Sequence, residues 1–190
     1  YSVVEVRPFL AYSSIIHISF ILLSTFQPDF GGLGVSLLYL FTYLLLTLLF
    51  FSILFSVLGI NFWFLTDLQH LNRFPTLVTA FSIFMLGMAG TPPFLGFFTK
   101  FSVIAILFTA QDYLFFFITL ISGFFAAFFY IQNYRFYGYS IKSYTYVKTH
   151  VTIKYNLKLY LLIYFFVFVN LFSSLLINDF FIFFQLLSII

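Results

Sequence analysis

Polar positions are so sparse along this chain that they mark out its elements on their own. Apolar runs fill residues 9–26, 33–60, 75–110, 113–134 and 159–177. Between them stand short polar punctuations. Gln27-Pro28-Asp29-Phe30-Gly31-Gly32 reads as a turn, and 61–74 as a loop carrying Trp63, Asp67, His70 and Arg73. Gln111-Asp112, the segment 135–158 and Asn178-Asp179 supply the rest. Each run is of membrane-helix length, roughly 17–25 residues or more, and none shows the strict alternation of a membrane barrel strand. The pattern therefore predicts helices in lipid, where every backbone polar group has to be satisfied within its own segment. Pro8 suits the first turn of the first helix, where a missing N–H costs nothing. The closing stretch, 180–190, is apolar but too short to cross.

The run at 75–110 stands apart. One straight helix of that length would measure about 54 Å, against a hydrocarbon core of roughly 30 Å. It contains Gly90-Thr91-Pro92-Pro93, and its only charge is Lys100. Proline removes ladder donors and clashes with the preceding turn, so the expectation is one span interrupted near 90–93. Charge placement decides between one span and two. Counted as one, Arg7, Arg73, Arg135 and the lysines Lys142, Lys148, Lys154 and Lys158 all fall on a single side, and Asp29, Asp112 and Asp179 on the other. Counted as two, the basic segment after Arg135 lands opposite Arg7 and Arg73. The bias of Lys and Arg toward one side of a membrane favours five spans, the third discontinuous.

Composition narrows the class. Charged residues make up only 7% of the 190 and hydrophobic ones 63%, where a soluble domain carries about 25% charged residues. The 34 Phe and 14 Tyr are a bias that AT-rich codons produce, pointing toward an organellar gene. Cysteine is absent, which excludes disulfides, thiolate metal sites and cysteine nucleophiles. The chain begins Tyr1-Ser2 and not with Met, as a fragment, a processed chain or an unusual start codon would. There is no phosphate-loop pattern, no carboxylate pair within a span and no His/Asp/Glu cluster at metal-ligand spacing. The basic, tyrosine-rich 135–158 segment sits between two spans, so it reads as a topology signal or partner-docking surface and not as a nucleic-acid patch.

Two side chains could carry chemistry. Lys100 lies ten residues before Ala110, about 15 Å of helix from that end, beyond comfortable snorkelling. A central lysine costs at least about 2.5–3.5 kcal/mol on insertion scales. Either its amine exchanges a proton, or it is a structural lysine bonded to carbonyls freed by the proline break. His17 lies within the first span near Tyr12, Ser13 and Ser14. It either passes protons or ties helices together by a hydrogen bond. The intramembrane hydroxyls Ser13, Ser14, Ser19, Thr42, Tyr43, Thr79, Ser82, Thr91 and Thr99 suit a hydrated path but equally serve as helix-packing glue. His70 and His150 sit in loops and carry no assigned role.

A family resemblance rests on these same residues. Arg7-Pro8-Phe9-Leu10-Ala11-Tyr12-Ser13-Ser14-Ile15-Ile16-His17 resembles the KRLLAYSSIxH signature of the antiporter-like subunits of respiratory complex I. Leu38-Tyr39-Leu40-Phe41-Thr42-Tyr43 is similar to the short YLxxY run that follows it, and Asp67-Leu68 through Pro75 to the DLxGLxxRxP approach to the broken helix. Met85-Leu86-Gly87-Met88-Ala89-Gly90-Thr91-Pro92-Pro93-Phe94-Leu95-Gly96-Phe97-Phe98-Thr99-Lys100-Phe101 resembles LSLAGIPPLAGFFGKF, and 123–135 the next helix with its aromatic and basic end. Sister subunits carry Glu where Lys100 stands or Asp where Phe101 stands, so Lys100-Phe101 resembles the subunit 2 branch. Pro8 and Ser19 depart from the usual basic residue and Gly.

The resemblance covers about residues 7–136. It implies an all-α integral membrane fold of about five helices, the second half of an antiporter-like subunit. The first inverted repeat has no counterpart here, so a separate chain supplying the missing N-terminal helices is expected, as in a split gene. It further implies a proton-translocating membrane-arm subunit of NADH:ubiquinone oxidoreductase, with the redox chemistry on other subunits. Lys100 becomes the terminal proton-relay residue, taking a proton from the central polar axis and releasing it toward the intermembrane side, and His17 a possible relay. Gly90, Thr91, Pro92 and Pro93 form the helix break. No NADH, flavin, iron–sulfur cluster or other cofactor is expected on this chain. Other membrane-arm subunits and lipids are the expected partners, no nucleic acid is, and the location is the mitochondrial inner membrane, multi-pass, with 135–158 facing the matrix. Two rivals stay open: a stand-alone cation/proton antiporter subunit, and a structural remnant that braces its neighbours without pumping.

Overall fold

The computed structural model describes residues 5–27, 30–56, 75–139 and 157–172, together with 179, 182, 183 and 186. Six helices make up the described residues: α1 (Val6–Thr25), α2 (Phe30–Ser56), α3 (Pro75–Ala89), α4 (Leu95–Thr109), α5 (Tyr113–Tyr139) and α6 (Leu157–Phe172). The loop residues Trp63, Asp67, His70 and Arg73, residues 140–156 of the basic segment and most of 173–190 lie outside the described residues.

Helix α2 starts earlier than the turn reading places it. Gly31 and Gly32 belong to its first turn, and α1 ends close against Gly32. A Cβ on Gly32 would stand 2.6 Å from the Ser24 carbonyl oxygen and 2.9 Å from Gln27 Cβ. Glycine there lets the second helix leave directly beside the end of the first. Helix α5 likewise continues through Arg135 to Tyr139, so the basic segment begins inside a helix.

The apolar core falls into two clusters that sit at different depths. In one, α3 residues Leu77, Phe81, Phe84 and Met88 pack with Val6 and Phe9 at the start of α1, Phe50 and Ile53 toward the end of α2, and Tyr130 in the latter half of α5. The Phe50 and Phe84 rings stack 4.8 Å apart. In the other, Val103 and Leu107 of α4 pack with Phe20 in the latter half of α1 and Val35 and Tyr39 early in α2. Because α1 and α2 run antiparallel, both clusters stack along one axis. Helices α3 and α4 thus lie end to end as two halves of a single crossing. Each half has 15 residues, about 22 Å, and neither alone spans a core of roughly 30 Å. The third span is therefore discontinuous.

Helix α5 closes one edge. Leu114, Phe117, Ile121, Phe124, Phe125 and Phe128 are exposed along it, while Thr119, Ala126, Tyr130 and Asn133 turn inward. An exposed apolar surface of this extent is the signature of a chain built for lipid or for further membrane helices.

Candidate functional site

The break forms for reasons written into the backbone. A helix continuing past Ala89 would need the N–H groups of residues 92 and 93 to reach the carbonyls of Met88 and Ala89. Both residues are proline and have none. Gly90 turns the chain out with φ of 75°, a left-handed conformation that glycine adopts without penalty. Its N–H bonds the Gly87 carbonyl at 3.1 Å, and the Thr91 N–H bonds the Leu86 carbonyl at 3.2 Å, the pattern of a Schellman cap. Of the last four carbonyls of α3, this satisfies Leu86 and Gly87 and leaves Met88 and Ala89.

Lys100 supplies the missing donors. From the second turn of α4 its Nζ donates to the Met88 and Ala89 carbonyl oxygens, each at 2.9 Å. It is the one buried charged side chain among the described residues, 8% exposed. The carbonyl end of a helix carries partial negative charge, which stabilises a cation there. Gly90 also makes room: a Cβ at that position would lie 2.9 Å from Lys100 Cδ and 3.1 Å from its Nζ. A Cβ on Gly96 would collide with the Gly87 carbonyl, so glycine at 96 lets the two half-helices overlap. On the other side of the break, the Asn170 side-chain oxygen on α6 accepts from the Leu95 N–H at 3.4 Å, capping the start of α4.

The cap is compatible with both protonation states of the amine. A neutral amine keeps two N–H bonds, enough for both carbonyls, and its lone pair is then free to take a third proton. An ammonium keeps the same two bonds and carries one proton more. Proton gain and loss at Lys100 therefore need no rebuilding of the break. The structural and relay readings of this lysine, which the sequence sets against each other, are compatible in this geometry.

His17 occupies the boundary between the two apolar clusters. Its Nδ1 lies 3.0 Å from the Tyr39 hydroxyl and its Nε2 3.0 Å from the Tyr130 hydroxyl. Tyr39 belongs to the α4-level cluster and Tyr130 to the α3-level one. The Tyr130 hydroxyl donates to Ser13 Oγ at 2.7 Å, and the Tyr43 ring stacks on the imidazole at 5.0 Å. The Tyr130 ring also faces the lysine, with Nζ 6.0 Å from its centroid, the outer range of a cation–π contact. Ser13, His17, Tyr39 and Tyr130 are all nearly fully buried.

Most of the other hydroxyls do something plainer. Ser14, Ser19, Thr42, Thr79, Ser82 and Thr99 each donate to the carbonyl three residues back in their own helix. Thr91 bonds the Leu86 carbonyl. These groups satisfy themselves locally, and only Ser13 and Tyr43 join the histidine. Tyr130 and Asn170 are additions that the sequence does not single out. Asn170 stands as a lone amide in an apolar helix, a signal available in advance; Tyr130 is masked by the abundance of aromatic residues. No group of three His, Cys, Asp or Glu side chains gathers as metal ligands among the described residues.

The transmembrane family described as NADH:quinone oxidoreductase/Mrp antiporter matches residues 2–126. NADH-quinone oxidoreductase subunit N 1 of Herpetosiphon aurantiacus is 34% identical over 132 residues, 67% of this chain and 27% of that protein. Subunit N of Nitrosomonas europaea is 32% identical over 135 residues, 70% of this chain and 28% of that one. NADH-ubiquinone oxidoreductase chain 2 of Marchantia polymorpha is 31% identical over 129 residues, 67% and 26% respectively. The chain thus spans about a quarter of the length of these relatives. With its helical membrane fold and the family match over most of its length, the chain belongs to the NADH:quinone oxidoreductase/Mrp antiporter transmembrane family.

Proposed function

We propose that this chain forms the C-terminal part of a proton-translocating membrane-arm subunit of respiratory NADH:ubiquinone oxidoreductase, corresponding to subunit 2 of the mitochondrial enzyme. Lys100 is its proton-carrying group, and His17 a second element of the same half-channel. The observation that carries this reading is a buried amine seated on two carbonyls orphaned by Pro92 and Pro93, in a geometry that tolerates either charge state. The histidine–tyrosine cluster at its side adds an imidazole and hydroxyls beyond the two donors that the cap requires. The relatives named NADH-quinone oxidoreductase subunit N and NADH-ubiquinone oxidoreductase chain 2 favour an assembly of this kind over a stand-alone antiporter.

Other membrane-arm subunits and lipids are the partners in this proposal. The chain itself binds no redox cofactor, the location is the mitochondrial inner membrane, and the segment from 135 to 158 faces the matrix. Affinity isolation of the tagged chain from its native membranes tests the assembly. NADH:quinone reductase activity and a co-isolated subunit with an intramembrane Glu and Lys on separate helices are the expected result. Isolation free of that activity, with cation-dependent proton exchange instead, would establish the antiporter alternative.

A further inference from the structure

Tyr130 links the two polar centres of the site with different parts of one side chain. Its ring faces Lys100 Nζ at 6.0 Å and its hydroxyl is shared between His17 and Ser13. A phenol has a single proton to donate, and Ser13 Oγ at 2.7 Å is a nearer partner for it than His17 Nε2 at 3.0 Å. Toward His17 the phenol oxygen can then only accept, so Nε2 carries the ring proton. In the neutral imidazole Nδ1 is left as the acceptor, and the Tyr39 hydroxyl 3.0 Å away donates to it. Every donor in the series then points the same way, from Tyr39 through His17 and Tyr130 to Ser13. The series also crosses from the α4-level cluster to the α3-level one, since Tyr39 belongs to the first and Tyr130 to the second.

We infer that Tyr130, anchored by Ser13, is a positioning residue that selects the Nε2-protonated tautomer of His17. The inference rests on the relay reading of the site given above.

The tautomer is directly measurable. With ¹⁵N-labelled histidine in the native membrane assembly, the two ring nitrogens of His17 give distinct signals, separated from those of His70 and His150 by the His17→Phe variant. The wild-type protein is expected to show protonated Nε2 and unprotonated Nδ1. Tyr130→Phe and Ser13→Ala should both mix the tautomers and slow proton translocation per NADH oxidised roughly tenfold, about what one lost hydrogen bond costs. Ser13→Thr, which keeps the hydroxyl, should restore both readouts. A wild-type His17 protonated on Nδ1, or a tautomer unmoved by Tyr130→Phe and Ser13→Ala, overturns the inference. Mixed tautomers with unchanged translocation overturn the relay reading on which it rests.

Discussion

For Met88 and Ala89, the amine of Lys100 stands in for the two backbone donors that Pro92 and Pro93 lack. Under the proposed function, that substitution ties stability to proton transfer at a single side chain. Removing the amine leaves two carbonyls unsatisfied inside the membrane, at a cost of about 1–3 kcal/mol each. Gly90 carries a related double duty, since a side chain there meets both an unfavourable φ and the lysine stem. Gly90→Ala is expected to destabilise the protein by about 1–2 kcal/mol from the left-handed backbone alone. It should also push Lys100 off its carbonyls and reduce proton translocation. Thermal unfolding in detergent, read beside pumping in proteoliposomes, checks both effects; an unchanged midpoint with full pumping would show that the cap has slack to spare.

The break between α3 and α4 is legible in the chain because its cause is covalent. Two adjacent prolines abolish two specific ladder bonds, and a 36-residue apolar run exceeds the thickness it has to cross. Lys100 is legible as a lone charge in that run, and His17 as a lone imidazole. Their partners are not. Tyr130 is more than a hundred positions from Ser13 and His17, and Asn170 is 75 from Leu95, so both pairings exist only once the helices pack. The fit of Gly96 against Gly87 is of the same kind. Gly96→Ala forces the half-helices apart by driving a methyl group into the Gly87 carbonyl. Its expected outcome is loss of the assembled complex from native gels, with Gly123→Ala as the control, because a Cβ at 123 meets nothing within 4 Å. Normal assembly of the Gly96→Ala protein would mean that the half-helices can part without consequence.

Across the whole molecule, the two stacked clusters make one crossing of α3 and α4, which fixes the sidedness of everything around them. The ends of α1 and α4 then share a face, where the Gln27 amide donates to Asp112 at 2.8 Å, and the end of α5 emerges on the opposite face. Absence of cysteine makes this easy to map. A cysteine placed at Gln111, exposed on the connecting turn, should react with an impermeant thiol reagent from the side opposite to one placed at Thr76 in the first turn of α3. Labelling of both from the same side would require an even number of crossings between them and would overturn the single-span account.

The central claim is that Lys100 carries protons as well as closing the break, and Lys100→Arg separates the two roles. Arginine keeps a cationic donor for the Met88 and Ala89 carbonyls but cannot give up its proton in a protein. The decisive measurement is protons translocated per NADH oxidised in proteoliposomes of Lys100→Arg, with Lys100→Met alongside and assembly verified for each. The account predicts that both variants assemble NADH-oxidising complexes with a lowered proton yield, the arginine protein with its stability closer to wild type. A wild-type proton yield in Lys100→Arg would contradict it and leave the lysine as a cap alone.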